Sequence, residues 1–261
     1  MPMTILEAVA PSREVVFMLE NPTISRLKEL KLKTMASMLS EPDHSLLELS
    51  FEERFSLMVE REWISRKNNK IKRLLHTADL SQNACLEDIR YSDDRSIDKK
   101  TIQTLSTGTY IHQYLNVIIS GKTGSGKSFL ACALGNSACR QGHTVRFFRM
   151  PELLLEIQDA KAEHRYSKYM SQLLKIKLLI LDDIGLKSYT LDESRDILEI
   201  IESRYHKAST IMAGQVSHAQ WYELFPDPTL ADAIMDRIIH NAYIIPLDSR
   251  KSMREVMASE L

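Results

Sequence analysis

From residue 101 onward, short apolar runs alternate with longer stretches whose apolar residues recur at helical spacing. The pattern predicts strands over 115–120, 143–149, 177–182, 209–214 and 242–247, and helices over 127–140, 151–160, 166–174, 192–206, 217–224 and 229–240. Leu178 to Leu181 are four apolar residues in succession, which reads as a strand buried on both faces. Pro151 suits the first turn of a helix, and Pro226 and Pro228 bracket a turn. Repeated β-α units of this kind imply an α/β fold with a five-stranded parallel sheet covered on both faces.

The first hundred residues read differently. Over 23–39, basic and apolar positions alternate at helical spacing, with Leu27, Leu30 and Met38 near one face, until Pro42 and Asp43 break the pattern. Ser50 followed by Glu53 is a capping box opening a long helix from Phe51 to about His76. Residues 79–100 are charged and weakly periodic, as expected of short helical pieces joined by loops. The expected organisation is a tail over 1–22, a small helical module over 23–100 and the α/β domain over 101–261.

Chemistry enters at Gly121-Lys122-Thr123-Gly124-Ser125-Gly126-Lys127-Ser128, which satisfies G-x-x-x-x-G-K-[ST] between a predicted strand and a predicted helix. Glycines there let backbone amides turn inward around phosphates, and the helix N-terminus that begins near Phe129 adds positive potential. Lys127 would reach the β- and γ-phosphates of ATP, and the Ser128 hydroxyl would ligate Mg²⁺. Downstream, Asp182 and Asp183 end the buried run at the sheet edge where open α/β folds place ligands. Asp182 then belongs to the Mg²⁺ shell and Asp183 to the attacking water.

Composition changes the picture little. The chain has 261 residues, is 44% apolar and carries a formal charge of −1, so bulk electrostatics favour no partner. Cys85, Cys132 and Cys139 lack metal-ligand spacing and read as thiols in a reducing cytosol. Met1 to Glu20 has no basic segment before its apolar run, unlike a signal peptide, and no run is long enough to cross a membrane. A cytoplasmic protein is expected.

Local charge is more informative. Arg61, Arg66, Lys67, Lys70, Lys72 and Arg73 face a single acid, Glu62, within one helix. Such a helix can lie along a phosphate backbone with little regard to sequence. It can equally be a solvated face whose other side packs through Phe55, Met58, Ile71 and Leu75, with Trp63 a packing residue; periodicity does not separate the two.

The sequence resembles AAA+ ATPases, and more closely the IstB-like group that accompanies insertion sequences and is similar to DnaC helicase loaders. The resemblance runs from about residue 26 to the C-terminus. It is carried by Leu49-Ser50-Phe51-Glu52-Glu53-Arg54, Arg61-Glu62-Trp63, Ala84-Cys85-Leu86-Glu87-Asp88-Ile89, Ala131-Cys132-Ala133-Leu134-Gly135, Leu179-Ile180-Leu181-Asp182-Asp183-Ile184-Gly185 and Asp227-Pro228-Thr229-Leu230-Ala231-Asp232-Ala233-Ile234-Met235-Asp236-Arg237. It implies an AAA+ core in residues 101–261 and a homo-oligomer. In that oligomer Arg237 reaches the neighbouring subunit's γ-phosphate; without the resemblance Arg237 reads as a surface ion pair with Asp236 or Asp232. It also implies duplex DNA and a transposase as partners. Two departures stand out. Gly214 occupies the position of a polar sensor, leaving Gln215 as the substitute, and Asp183 replaces the glutamate common in AAA+ proteins. Arg254, in Ser252-Met253-Arg254, resembles a phosphate-sensing arginine.

The implied function is an ATP-dependent, DNA-binding helper ATPase for transposition, turning over slowly and stimulated by assembly on DNA. The alternatives are a replicative helicase loader and an ATP-binding switch that barely hydrolyses. A small-molecule kinase would leave Arg237 and the basic helix without purpose.

Overall fold

The computed structural model describes residues 21–41, 49–91 and 97–247. The chain divides into two compact units, 1–68 and 69–261. In the first unit, helix α1 (Pro22–Glu29) starts with Pro22 behind an Asn21 cap, whose side chain accepts from the Thr23 amide at 2.9 Å. The single helix expected over 23–39 is broken at Lys31, which adopts φ +60° while the Leu32 amide donates back to Leu27 at 2.8 Å. Helix α2 (Lys33–Ser40) follows.

Helix α3 (Phe51–Ala78) opens with the predicted capping box. The Glu53 carboxylate accepts from the Ser50 amide at 2.8 Å, and the Ser50 hydroxyl accepts from the Glu53 amide at 3.3 Å. Within the first unit, buried Glu62 of α3 accepts from the Thr34 and Met35 amides at 2.8 and 3.2 Å. It thereby caps α2, which has no capping side chain of its own.

In the second unit, α4 (Lys99–Ser106) and α5 (Thr109–His112) precede β1 (Asn116–Ser120). Periodicity does not reveal these two short helices; Asp98, accepting from the Lys100 and Thr101 amides, starts the first. Then come α6 (Lys127–Arg140), β2 (Val145–Arg149), α7 (Met150–Ala162), α8 (Tyr166–Leu174), β3 (Leu178–Ile184), α9 (Leu191–Arg204), β4 (Ser209–Gly214), α10 (Pro228–Ile239) and β5 (Ala242–Pro246). Residues His218–Leu224, expected as a helix over 217–224, form a 3₁₀ segment instead.

All strand pairs are parallel, in the order β2-β3-β4-β1-β5. The alternation of β3 explains its unbroken apolar run. Leu178 and Ile180 enter the core layer beneath α6, while Leu179 and Leu181 enter the layer shared with α7, α8, α9 and α10. Cys132 and Cys139 are buried thiols, and burial pushes Cys139 up to about 11. Among the described residues no helix is long and apolar enough to cross a membrane.

Candidate nucleotide site

The ends of β1, β3 and β4 meet at one sheet edge, where Ser120 and Ile184 both pair with Gly214. The chain leaves β1 through Gly121, where a Cβ would stand 2.3 Å from the Leu247 carbonyl oxygen. Only glycine fits that approach. Gly124 and Gly126 follow at φ +81° and +94°, and the Ser125 amide closes the turn on the Lys122 carbonyl at 3.2 Å. Helix α6 begins at Lys127 with no side chain capping its N-terminus. Its first amides and its dipole face the loop, as an anion requires.

Lys127 is only 8% exposed, and its ammonium donates to the Lys122 carbonyl at 2.9 Å. Burial pulls its pKa down, while the charges of Asp182 and Asp183 oppose that shift. Asp182 is 3% exposed. Burial raises its pKa, against hydrogen bonds from the Ser128 hydroxyl and, at 2.9 Å, the Asp183 amide. A hydroxyl and a carboxylate already in contact suit Mg²⁺, which takes oxygen ligands and fills its remaining positions with water and phosphate. Among the described residues no group of three His, Cys, Asp or Glu forms a closed metal site.

Consecutive strand residues ordinarily face opposite sides of a sheet. Asp183 escapes that rule. It adopts φ +61°, and the register of β3 against β4 is irregular between Leu181 and Ile184. Both carboxylates therefore bear on Lys127. A left-handed non-glycine residue costs about 1–3 kcal/mol and is held by surrounding structure, typically at functional sites. Asp183 is also paired with Arg149, Nε to Oδ2 at 3.4 Å. Arg149 ends β2 in register with Asp182. Sequence reasoning missed Arg149; its only signal is a basic residue closing the strand beside the paired aspartates.

Gly214 is a glycine for steric reasons. A Cβ there would lie 2.9 Å from the Ile184 carbonyl and 3.1 Å from the Trp221 ring. Gln215 reaches the loop instead, accepting from the Thr123 hydroxyl at 3.2 Å. Phe129 is packed against the core layer beneath α6.

Arg237 lies elsewhere. It donates to the Ala233 carbonyl at 2.8 Å and pairs with Glu202 at 3.0 Å, rather than with Asp232 or Asp236. It lines a small cleft with Asn116, Arg204 and Asn241, at the start of β1 and thus the edge remote from the loop that follows β1. Arg254 falls outside the described residues.

On α3, Arg61, Lys67, Lys70, Lys72 and Arg73 are exposed. Arg66 also has structural work, donating to Glu62 at 2.8 Å and to the Lys31 carbonyl at 3.0 Å. Trp63, read from sequence as a packing residue, is 60% exposed with the Lys67 ammonium 5.0 Å from its ring centre. Phe51, Phe55 and Val59 are exposed as well, four residues apart along the same ridge.

The profile described as "IstB-like ATP binding protein" matches residues 25–260. An insertion sequence ATP-binding protein of Sinorhizobium fredii (y4pL) is 39% identical over 239 residues, 91% of this chain and 97% of that protein. The ATP-binding protein of insertion sequence IS21 from Pseudomonas aeruginosa is 32% identical, over 84% and 82% of the two chains. Among solved structures, the DnaC helicase loader aligns with TM-score 0.54 and 19% identity, over 63% of this chain and 97% of that one. AMPPCP-bound DnaA from Aquifex aeolicus aligns with TM-score 0.57 and 17% identity, over 70% and 55%. These likenesses place the fold among AAA+ P-loop domains.

Proposed function

This chain belongs to the family of IstB-like ATP-binding proteins, and we propose that it works as a Mg·ATP-dependent helper ATPase that binds duplex DNA and assists a partner transposase. The observation that carries the ATPase reading is the group of Lys127, Ser128, Asp182 and Asp183, in which the left-handed backbone of Asp183 brings a second carboxylate to bear on Lys127. Amides from Gly121 through Phe129 and the Lys127 ammonium hold the phosphates. Ser128 and Asp182 would hold Mg²⁺, which when bound would draw charge from the phosphate oxygens. Asp183 orients a water for in-line attack on the γ-phosphorus and receives its proton as the bond to the bridging oxygen of ADP breaks. Gln215, tied to Thr123, is placed to sense the γ-phosphate, and Arg254 is a second candidate sensor.

Arg237 acts in trans. Its place at the far sheet edge supports delivery to a neighbouring copy, where a guanidinium would stabilise transition-state charge. Hydrolysis then depends on assembly. Residues 23–100 form the part that meets DNA and partner. Arg61, Lys67, Lys70, Lys72 and Arg73, with a lesser share from Arg66, lie along phosphates. The ridge of Phe51, Phe55, Val59 and Trp63 suits the transposase. The insertion-sequence setting of the relatives supports that partner.

Gel shifts with duplex DNA across a salt series test this. Wild type should bind more tightly with ATP than with ADP, and Lys127→Ala should lose the difference. Equal binding by both proteins in every nucleotide state would count against it. The Arg149–Asp183 pair favours a second reading, an ATP-binding switch with very slow hydrolysis. ATPase that stays at background with DNA and is unchanged by Arg237→Ala would favour the switch. The helicase-loader reading rests on fold likeness, and a replication gene in the adjacent reading frame would favour it.

A further inference from the structure

Four cationic or titratable side chains from four segments of the second unit gather at the sheet edge opposite the phosphate loop. Helix α6 ends with Gly142 at φ +90°, its amide bonded to Cys139 O at 2.9 Å and the His143 amide to Ala138 O at 3.0 Å. This closure fixes His143 just ahead of β2. His112, the last residue of α5, meets the His143 ring edge-on at 5.0 Å. Thr144 holds the entry to β3, accepting from the Lys177 amide at 3.0 Å through its hydroxyl and from the Leu178 amide at 3.0 Å through its carbonyl. Lys177 is thereby anchored next to Thr144, near enough for its charge to bear on His143. From α3, the Lys70 ammonium stands 3.6 Å from where a Cβ on Gly142 would lie.

Burial holds the His143 imidazole below the usual histidine range, and the charges of His112, Lys177 and Lys70, all of one sign, push it the same way. Arg140, the nearest arginine on α6, is turned to Glu87 and Cys85. Like charges held together on rigid anchors repel, and an anion placed among them relieves the repulsion while favouring the protonated imidazole. His112, Lys70 and Lys177 are exposed, so the patch is open rather than enclosed. An open patch holds a free anion weakly but suits a polyanion, whose neighbouring phosphates release counterions together.

We propose that Lys70, His112, His143 and Lys177 form a contact site for the phosphate backbone of duplex DNA, on the sheet edge away from the nucleotide. The proposal rests on the DNA-binding reading above and adds His112, His143 and Lys177, none of them on the basic helix. Binding at this site takes up a proton, so DNA affinity rises as the pH falls.

Fluorescence anisotropy with a labelled duplex tests it, at about pH 5.8 and about pH 7.8 and over a chloride series. Wild type should bind roughly three- to tenfold more tightly at the lower pH, as one linked proton allows. The double variant His112→Gln/His143→Gln should bring that ratio to within about twofold, and Lys177→Gln should reduce the salt slope by about one. Variants with the wild-type melting temperature are used, and Lys177→Gln alters an exposed side chain. If both variants keep the wild-type pH ratio and salt slope, this site is wrong while DNA binding stands. If wild type binds no duplex at either pH in low salt, the DNA-binding reading falls and this site with it.

Discussion

Arg149 and Asp183 form an ion pair across the ends of β2 and β3, Nε to Oδ2 at 3.4 Å, at the one residue of β3 whose backbone is left-handed. The arginine is more than half exposed, so the pair contributes little stability after solvent screening. It bears on where the carboxylate points.

Arg149→Ala should therefore leave the melting temperature within about 2 °C of wild type while changing hydrolysis by about threefold or more. The direction is upward if the pair restrains Asp183 and downward if it aims Asp183 at the water. Asp183→Asn should lower hydrolysis by about a hundredfold or more with ATP affinity nearly intact. Steady-state ATPase beside nucleotide binding separates these effects; an Asp183→Asn variant with wild-type turnover would remove Asp183 from the chemistry.

Asp182 titrates against stability. Burial holds its carboxyl above the ordinary range, so the folded state keeps the proton more tightly than the unfolded chain. The stability linked to it is present at low pH and is lost as pH rises from the ordinary carboxylate range through the folded value. At neutral pH the buried charge is a net cost. Asp182→Asn should raise the nucleotide-free melting temperature and abolish the tightening of ATP by Mg²⁺. Thermal melts at neutral pH check the sign.

Restoring a polar side chain at the sensor position should fail. Gly214→Ser places a Cβ against Ile184 O and Trp221, and should destabilise the fold by about 1–3 kcal/mol. Gln215→Ala should cost under about 1 kcal/mol in stability while lowering kcat, because its contact is with an exposed Thr123. Urea unfolding beside ATPase rates distinguishes the two.

Glu62 and Arg66 are the structural pair of the basic helix. Glu62→Ala strips α2 of its cap and should cost about 1–3 kcal/mol. Arg66→Ala should reduce stability more than it reduces the salt slope of DNA binding, whereas Arg61→Ala should do the reverse. Denaturant titrations and binding isotherms on the same variants report both.

Much of this was legible in the residues. The glycine loop announces itself, and the run Leu178–Leu181 forces a doubly covered strand, so the parallel sheet follows. What stayed hidden depends on long-range geometry. No pattern in the sequence shows that Asp183 turns left-handed so that two adjacent carboxylates serve one site, or that Arg149 on another strand meets it. Gly214 looked like a missing sensor and is a glycine because Trp221 and Ile184 leave no room. Trp63 shows the limit of composition: an aromatic in a helix reads as core, yet it stands exposed beside Lys67.

On the proposed function, the site built on Lys127 and Asp182 is completed by Arg237 of another copy. Mixing Lys127→Ala with Arg237→Ala subunits on DNA tests it most directly. Each variant alone should hydrolyse ATP at background, and the mixture should recover a substantial fraction of wild-type activity, because one subunit supplies the loop and the other the arginine. A mixture that co-assembles yet stays at background would contradict it, as would an Arg237→Ala protein with full activity.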